Sequence, residues 1–101
     1  MGKRLELHEI LVDTLGARDV YFQPPSSVQM KYPCIVYSRS RIDTKHANNR
    51  LYKYYKAYTV TVIDQDPDSG TLDRVLKLPH CRFDRHFTAD NLNHDVFTIY
   101  Y

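Results

Sequence analysis

The 101-residue chain has no tryptophan, three glycines, two cysteines and no long apolar run. With so few glycines there is hardly room for a Gly-rich loop that cradles phosphates, and none is present. Cys34 and Cys81 lack CxxC spacing, and we expect two free thiols in a reducing compartment rather than a disulfide framework. No stretch approaches the roughly 18 apolar residues of a membrane span. The start, Met1-Gly2-Lys3-Arg4-Leu5-Glu6, lacks the apolar run of a signal peptide. A cytosol-like site of synthesis and no membrane partner are expected. The length corresponds to one domain, 1–101, with a core small enough that oligomerisation is a common source of added stability.

What is abundant is tyrosine: nine residues, beside four phenylalanines. One small core does not absorb nine phenols, because each buried hydroxyl needs a partner. Tyrosine is enriched at protein interfaces and also favours half-exposed strand positions. Both readings stand. The net charge is only +2, too weak to argue for nucleic acid by itself, but it is unevenly spread. From Arg39 to Lys56 there are six basic residues, Arg39, Arg41, Lys45, Arg50, Lys53 and Lys56, against one acid, Asp43. That window is net +5 and the remainder −3.

Leu7, Ile10, Leu11 and Leu15 recur at helical spacing and predict a helix over 3–15, closed by Gly16. Lys3 and Arg4 sit at the end where the helix dipole disfavours cations. Val20-Tyr21-Phe22 is a candidate edge strand, and Pro24-Pro25-Ser26-Ser27 breaks structure after it. Tyr32 to Ser38 is β-branched and aromatic and predicts a strand, with Pro33 at its first position. The polar stretch Arg41 to Leu51, centred on Asn48-Asn49, predicts a long loop or a protruding basic hairpin over about 40–54. Tyr52 to Ile63 is the clearest strand, with Tyr58, Val60 and Val62 on one face. A turn at 64–70 leads to a short helix whose inner stripe is Leu72, Val75 and Leu76. Cys81 to Thr88 alternates, placing Phe83, Arg85 and Phe87 on one side. After a turn at 89–93, a last strand runs from Asp95 to Tyr101. The expected class is α+β: a mostly antiparallel four- to five-stranded sheet with two helices packed on one face.

No catalytic or metal constellation emerges, and no cofactor is expected. His80 and Cys81 are adjacent, so on a strand they point to opposite faces. The five histidines are scattered; His80 and His86 share a strand parity but lie about 20 Å apart at the strand rise. Asp64, Asp66 and Asp68 have the spacing of a calcium loop, yet the twelfth position, which should be glutamate, is Val75. The remaining candidate is the basic window. There Arg50, Lys53 and Lys56 interleave with Tyr52, Tyr54, Tyr55 and Tyr58, a mixture that suits nucleic-acid backbones and stacked bases. It equally suits a solvated hairpin whose lysines oppose edge-to-edge pairing, or an arm that grips an acidic neighbour.

Segment order adds a resemblance. An amphipathic helix leads through a Pro-rich linker to Tyr32-Pro33-Cys34-Ile35-Val36-Tyr37. A polar loop is followed by Tyr58-x-Val60-x-Val62-Ile63-Asp64 and a short helix ending in Leu78-Pro79-x-Cys81. Then come Phe83-Asp84-Arg85-x-Phe87-x-x-Asp90-Asn91-Leu92-x-His94 and a closing Phe97-Thr98-Ile99-Tyr100-Tyr101. From about Leu5 to Tyr101 this resembles the small tail terminator, or tail-completion, proteins of long-tailed bacteriophages. The resemblance implies a virion structural protein, assembled in the host cytoplasm and not an enzyme. It would form a homo-oligomeric ring, usually a hexamer, on the head-proximal end of the tail tube. The ring would stop tube polymerisation, dock to the head–tail connector and let DNA pass with transient, non-specific contacts. The implied partners are further copies of the chain, the tube protein and the connector or neck protein. Arg39, Arg41, Lys45, Arg50, Lys53 and Lys56 would face the lumen or a partner, and Tyr52, Tyr54, Tyr55 and Tyr58 a neighbouring subunit. A neck-ring protein of the same particles and a small nucleic-acid-binding module are the alternatives.

Overall fold

The computed structural model describes residues 3–24, 29, 31–47, 50–66, 68 and 70–101, with the backbone alone at Lys3 and over 41–47 and 50–55. Helix α1 spans Lys3–Leu15. It buries Leu7, Leu11, Val12 and Leu15 and ends where Gly16, at φ 81°, bonds its N–H to the Val12 carbonyl at 2.9 Å. This left-handed position is one that glycine occupies cheaply. Strand β1 (Val20–Phe22) is an edge strand, as expected, and pairs in parallel with β2 (Cys34–Ala47). Strand β2 starts at Cys34, one residue after Pro33, whose bond to Tyr32 is cis.

Strand β3 (Arg50–Asp64) returns antiparallel to β2, α2 (Gly70–Leu76) follows, and β4 (Cys81–Ala89) and β5 (Leu92–Tyr100) form a second antiparallel hairpin. The sheet order is β1-β2-β3-β5-β4, so only β1 is parallel and the fold is α+β. The β4–β5 turn is the two residues Asp90 and Asn91, at φ 52° and 61°. Two consecutive left-handed residues match the right-handed twist of the flanking strands. Strand β5 therefore begins at Leu92, three residues before the position that the alternation predicted.

One buried cluster joins Leu7, Leu11, Val12 and Leu15 of α1 and Val75 of α2 to Ile35, Tyr37, Tyr58, Val60, Val62, Phe97 and Ile99 of the sheet. A smaller cluster, Cys34, Ile63 and Leu92, takes the opposite strand parity. Central β5 is buried from Asp95 through Ile99, whereas edge strand β4 is exposed from Arg82 onward. Among the described residues no helix is long and apolar enough to cross a membrane.

Three expectations are corrected. Leu76, expected on the inner stripe of the second helix, is 48% exposed, because a seven-residue helix buries only Thr71 and Val75. Phe83, Arg85 and Phe87 do not share a side. The register steps from Phe83↔Phe97 to Arg85↔Val96, so Asp84 is the extra residue of a β-bulge. One extra residue inverts the facing of everything beyond it. Phe83 meets Phe97 edge-on at 5.5 Å on the α1 side, while Phe87 stacks on His94 at 4.6 Å on the other. The third correction is Tyr58. It was expected to face a neighbouring subunit, but it is 2% exposed in the core, its ring 6.1 Å from that of Tyr37. The break at Pro25, Ser26 and Ser27 and the centre Asn48-Asn49 lie outside the described residues.

Candidate functional site at the root of the β2–β3 arm

Strand β3 pairs with β5 only from Ala57 to Asp64, and β1 reaches β2 only at Ile35, Val36 and Tyr37. The Tyr101 N–H still reaches the Lys56 carbonyl at 2.9 Å; beyond it β2 and β3 pair with each other alone, out to Ala47↔Arg50. The six residues from Arg50 to Tyr55 add about 20 Å of ribbon at the strand rise, and the molecule measures 51 × 24 × 23 Å. The polar stretch is thus a two-stranded arm and not a loop. At its root the register steps from Arg39↔Tyr58 to Arg41↔Ala57, skipping Ser40, whose hydroxyl donates to the Ala57 carbonyl at 3.1 Å. A bulge there raises the local twist where the ribbon leaves the sheet. A second step, from Lys45↔Lys53 to His46↔Leu51, skips Tyr52.

The arm carries Arg41, Lys45, Arg50 and Lys53, together with Tyr54 and Tyr55, at register positions along the ribbon, and Tyr52 at its second step; their side chains lie outside the described residues. The register sets Lys45 opposite Lys53, a pairing of like charges that does not favour an isolated hairpin.

At the root, Arg39 and Lys56 line a polar recess of about 380 Å³ with Arg4, Phe22, Gln23 and Tyr58. Arg39 and Lys56 come from the predicted set; Arg4 and Gln23 were not expected there. Arg4 sits in the first turn of α1, its guanidinium carbon 4.4 Å from the centre of the Phe22 ring. It also donates to the Tyr37 hydroxyl at 3.3 Å. A guanidinium can only donate, so the phenol proton is free to go to His8 Nδ1, 2.8 Å away. Burial raises the Tyr37 pKa, with Arg4 opposing it, and the hydroxyl stays neutral. The ring contact with Phe22 holds the Arg4 charge over the sheet. It also offsets the unfavourable dipole end that the sequence alone showed. Gln23 accepts the Arg39 backbone N–H at 3.3 Å. Among the described residues, neither the Arg39 guanidinium nor the Lys56 ammonium has an acidic partner. The recess is therefore three cations around an aromatic wall, two of them without an acidic partner among the described residues.

No protein-family model matches the sequence, and no curated protein matches it.

Two other concavities differ in chemistry. A recess of about 460 Å³ is lined by His80, Cys81, Arg82 and Tyr100. Burial, and then Asp84, push the Cys81 thiol up, away from the thiolate that a nucleophile needs. A groove of about 280 Å³ is lined by Leu7, Ile10, Leu78, Pro79, Ile99 and their neighbours and is almost wholly apolar. Among the described residues no three His, Cys, Asp or Glu side chains group to hold a metal ion.

Proposed function

We propose that this protein is a structural assembly subunit: a ring-forming tail terminator at the head-proximal end of a long-tailed phage tail tube. There it would stop tube growth, offer the docking surface for the head–tail connector and leave a passage for DNA. The observation that carries this reading is the arm. A two-stranded ribbon with no third strand is marginally stable in water, and this one projects past every other element. Such an extension gains its stability by lying on another subunit. The order of segments, which resembles that of the tail terminators, gives the class of assembly. A closed ring uses two different patches on each subunit, and a chain with a basic end and an acidic turn has the means to supply them.

The test is the mass in solution by light scattering after size exclusion, over a range of protein concentrations, alone and with a tail-tube protein. Closed oligomers of about six copies, or a monomer that closes on the tube, are the expected result. A protein that stays monomeric in both settings overturns the reading.

The recess of Arg4, Arg39 and Lys56 beside Phe22 favours a second reading, a nucleic-acid-binding module. That reading predicts a monomer or dimer whose affinity for DNA or RNA falls steeply with salt.

A further inference from the structure

The recess at the arm's root lies midway along β3, and the turn after β3 lies beyond the strand's C-terminal end. Tyr58 lines the recess, and Asp64, six residues on, ends β3, which separates the two by about 20 Å at the strand rise. Beyond Asp64 the chain makes two successive Asx turns. The Asp66 N–H donates to Asp64 Oδ1 at 3.0 Å and the Asp68 N–H to Asp66 Oδ1 at 2.9 Å. These bonds hold Asp66 and Asp68 in place while both residues stay exposed. Asp19 lies at the same end. It and Asp64 both act on the buried Cys34 thiol, whose pKa rises to about 11, mainly through burial. Arg18, one residue earlier, is taken by Glu9 at 3.1 Å.

We propose that the Arg4–Arg39–Lys56 recess is a carboxylate-binding site filled by the Asp66–Asp68 turn of a second copy of this chain, joining subunits head to tail. This rests on the assembly reading above and specifies its contact. Two features make the second copy the occupant. The cations and the carboxylates are about 20 Å apart along β3, too far to pair within one copy, and a chain of copies satisfies both. Each side is also held before contact: Arg4 by Phe22 and Tyr37, and the turn by its own backbone bonds. Preorganised charge loses less side-chain freedom on binding, and complementary charge fixes which surfaces meet. A head-to-tail contact of unlike patches is the kind that closes rings.

The test uses two variants of the full chain. One carries Arg39→Glu with Lys56→Glu. The other carries Asp66→Asn with Asp68→Lys, the asparagine keeping the Asx acceptor. Arg4 is left alone because it supports Tyr37. Each variant alone is expected to associate at least about tenfold more weakly than the wild type. Their equimolar mixture should regain association, because every junction in it is complementary. Circular dichroism checks that each is folded; should one fail to fold, the wild type decides through salt. Raising salt from about 0.05 to about 0.5 M should dissociate the oligomer, and association that ignores salt overturns the contact. Folded variants that associate like the wild type, or weakened variants whose mixture stays apart, overturn the contact and leave the ring reading standing. A wild type that is monomeric at every concentration removes both.

Discussion

The Tyr37 hydroxyl and His8 Nδ1 lie 2.8 Å apart, across 29 residues of sequence. The phenol is 1% exposed and, with Arg4 as its second partner, it ties the first turns of α1 to the start of β2. Tyr37→Phe keeps the ring and removes the hydroxyl, so unfolding in urea should show a loss of about 1 kcal/mol. Tyr37→Ala also removes the ring that packs against Phe22 and Tyr58, and the loss should reach about 3–5 kcal/mol. A phenylalanine variant as stable as the wild type would show that the hydrogen bonds merely replace those to water.

Cys34 gives the fold a pH dependence. Its side chain is fully buried. Burial, then Asp19 and Asp64, raise its pKa from 9.0 to about 11. An acid whose pKa is raised on folding is stabilising in its neutral form. That contribution is complete below pH 9.0 and is lost as the pH rises toward about 11. The shift corresponds to about 2–3 kcal/mol. Cys34→Ala should therefore flatten the fall in stability between pH 9 and 11, while costing some packing at all pH values. Thiol labelling gives an independent reading at neutral pH. Cys81, only half-buried, should react first, and Cys34 only as the protein unfolds.

The bulge on β4 is tied to β5 through one side chain. Asp84, the extra residue, accepts from the hydroxyl of Thr98, which is 5% exposed on β5. Its ion pair with Arg82, at 3.3 Å, is largely in solvent on the arginine side and contributes little. Asp84→Ala strands a buried hydroxyl and should destabilise by about 1–3 kcal/mol, whereas Asp84→Asn keeps an acceptor and should lose less. A double-mutant cycle with Thr98→Val separates this bond from the general effect of altering the bulge. Near-zero coupling would assign the bulge to backbone preference instead.

Local chemistry made α1 readable from sequence: one apolar stripe showed the helix and Gly16 set its end at Leu15, whereas no capping signal fixed its start. The hairpin at Asp90-Asn91 was equally local. The facing of β4 was not readable, because a bulge leaves no trace in a pattern of alternating residue types and yet inverts Phe87 relative to Phe83. Tyr58 was placed on the wrong surface for a related reason. Strand β3 carries tyrosines of both parities, and only its pairing with Ile99 decides which faces the helices. Half of the recess was in view, since Arg39 and Lys56 belong to a visible run of charge. Arg4 is separated from its partner Tyr37 by 33 residues. The one signal available for it was negative: a cation at the wrong end of a helix implies some tertiary partner.

The arm offers the sharpest separation of folding from assembly. The register sets Asp43 opposite Tyr55, so replacing residues 44–54 with Asn-Gly joins the two strands through a two-residue turn of the favoured type. The shortened chain keeps Arg39, Lys56 and every strand pair that reaches β5. No residue of the two buried clusters is removed. Cutting the connection from eleven residues to two lowers the closure cost by about 1.5 kcal/mol on flexible-loop scaling, in the direction that favours the folded state. The shortened protein should therefore remain folded, with a stability at or above that of the full chain. If the arm embraces a neighbouring subunit, sedimentation should show the variant as a monomer at concentrations where the full chain is oligomeric. If the variant assembles as well as the full chain, the ribbon is not the assembly element. Contact between copies then falls to the sheet edges and the recess, and the charge-reversal variants would answer for it.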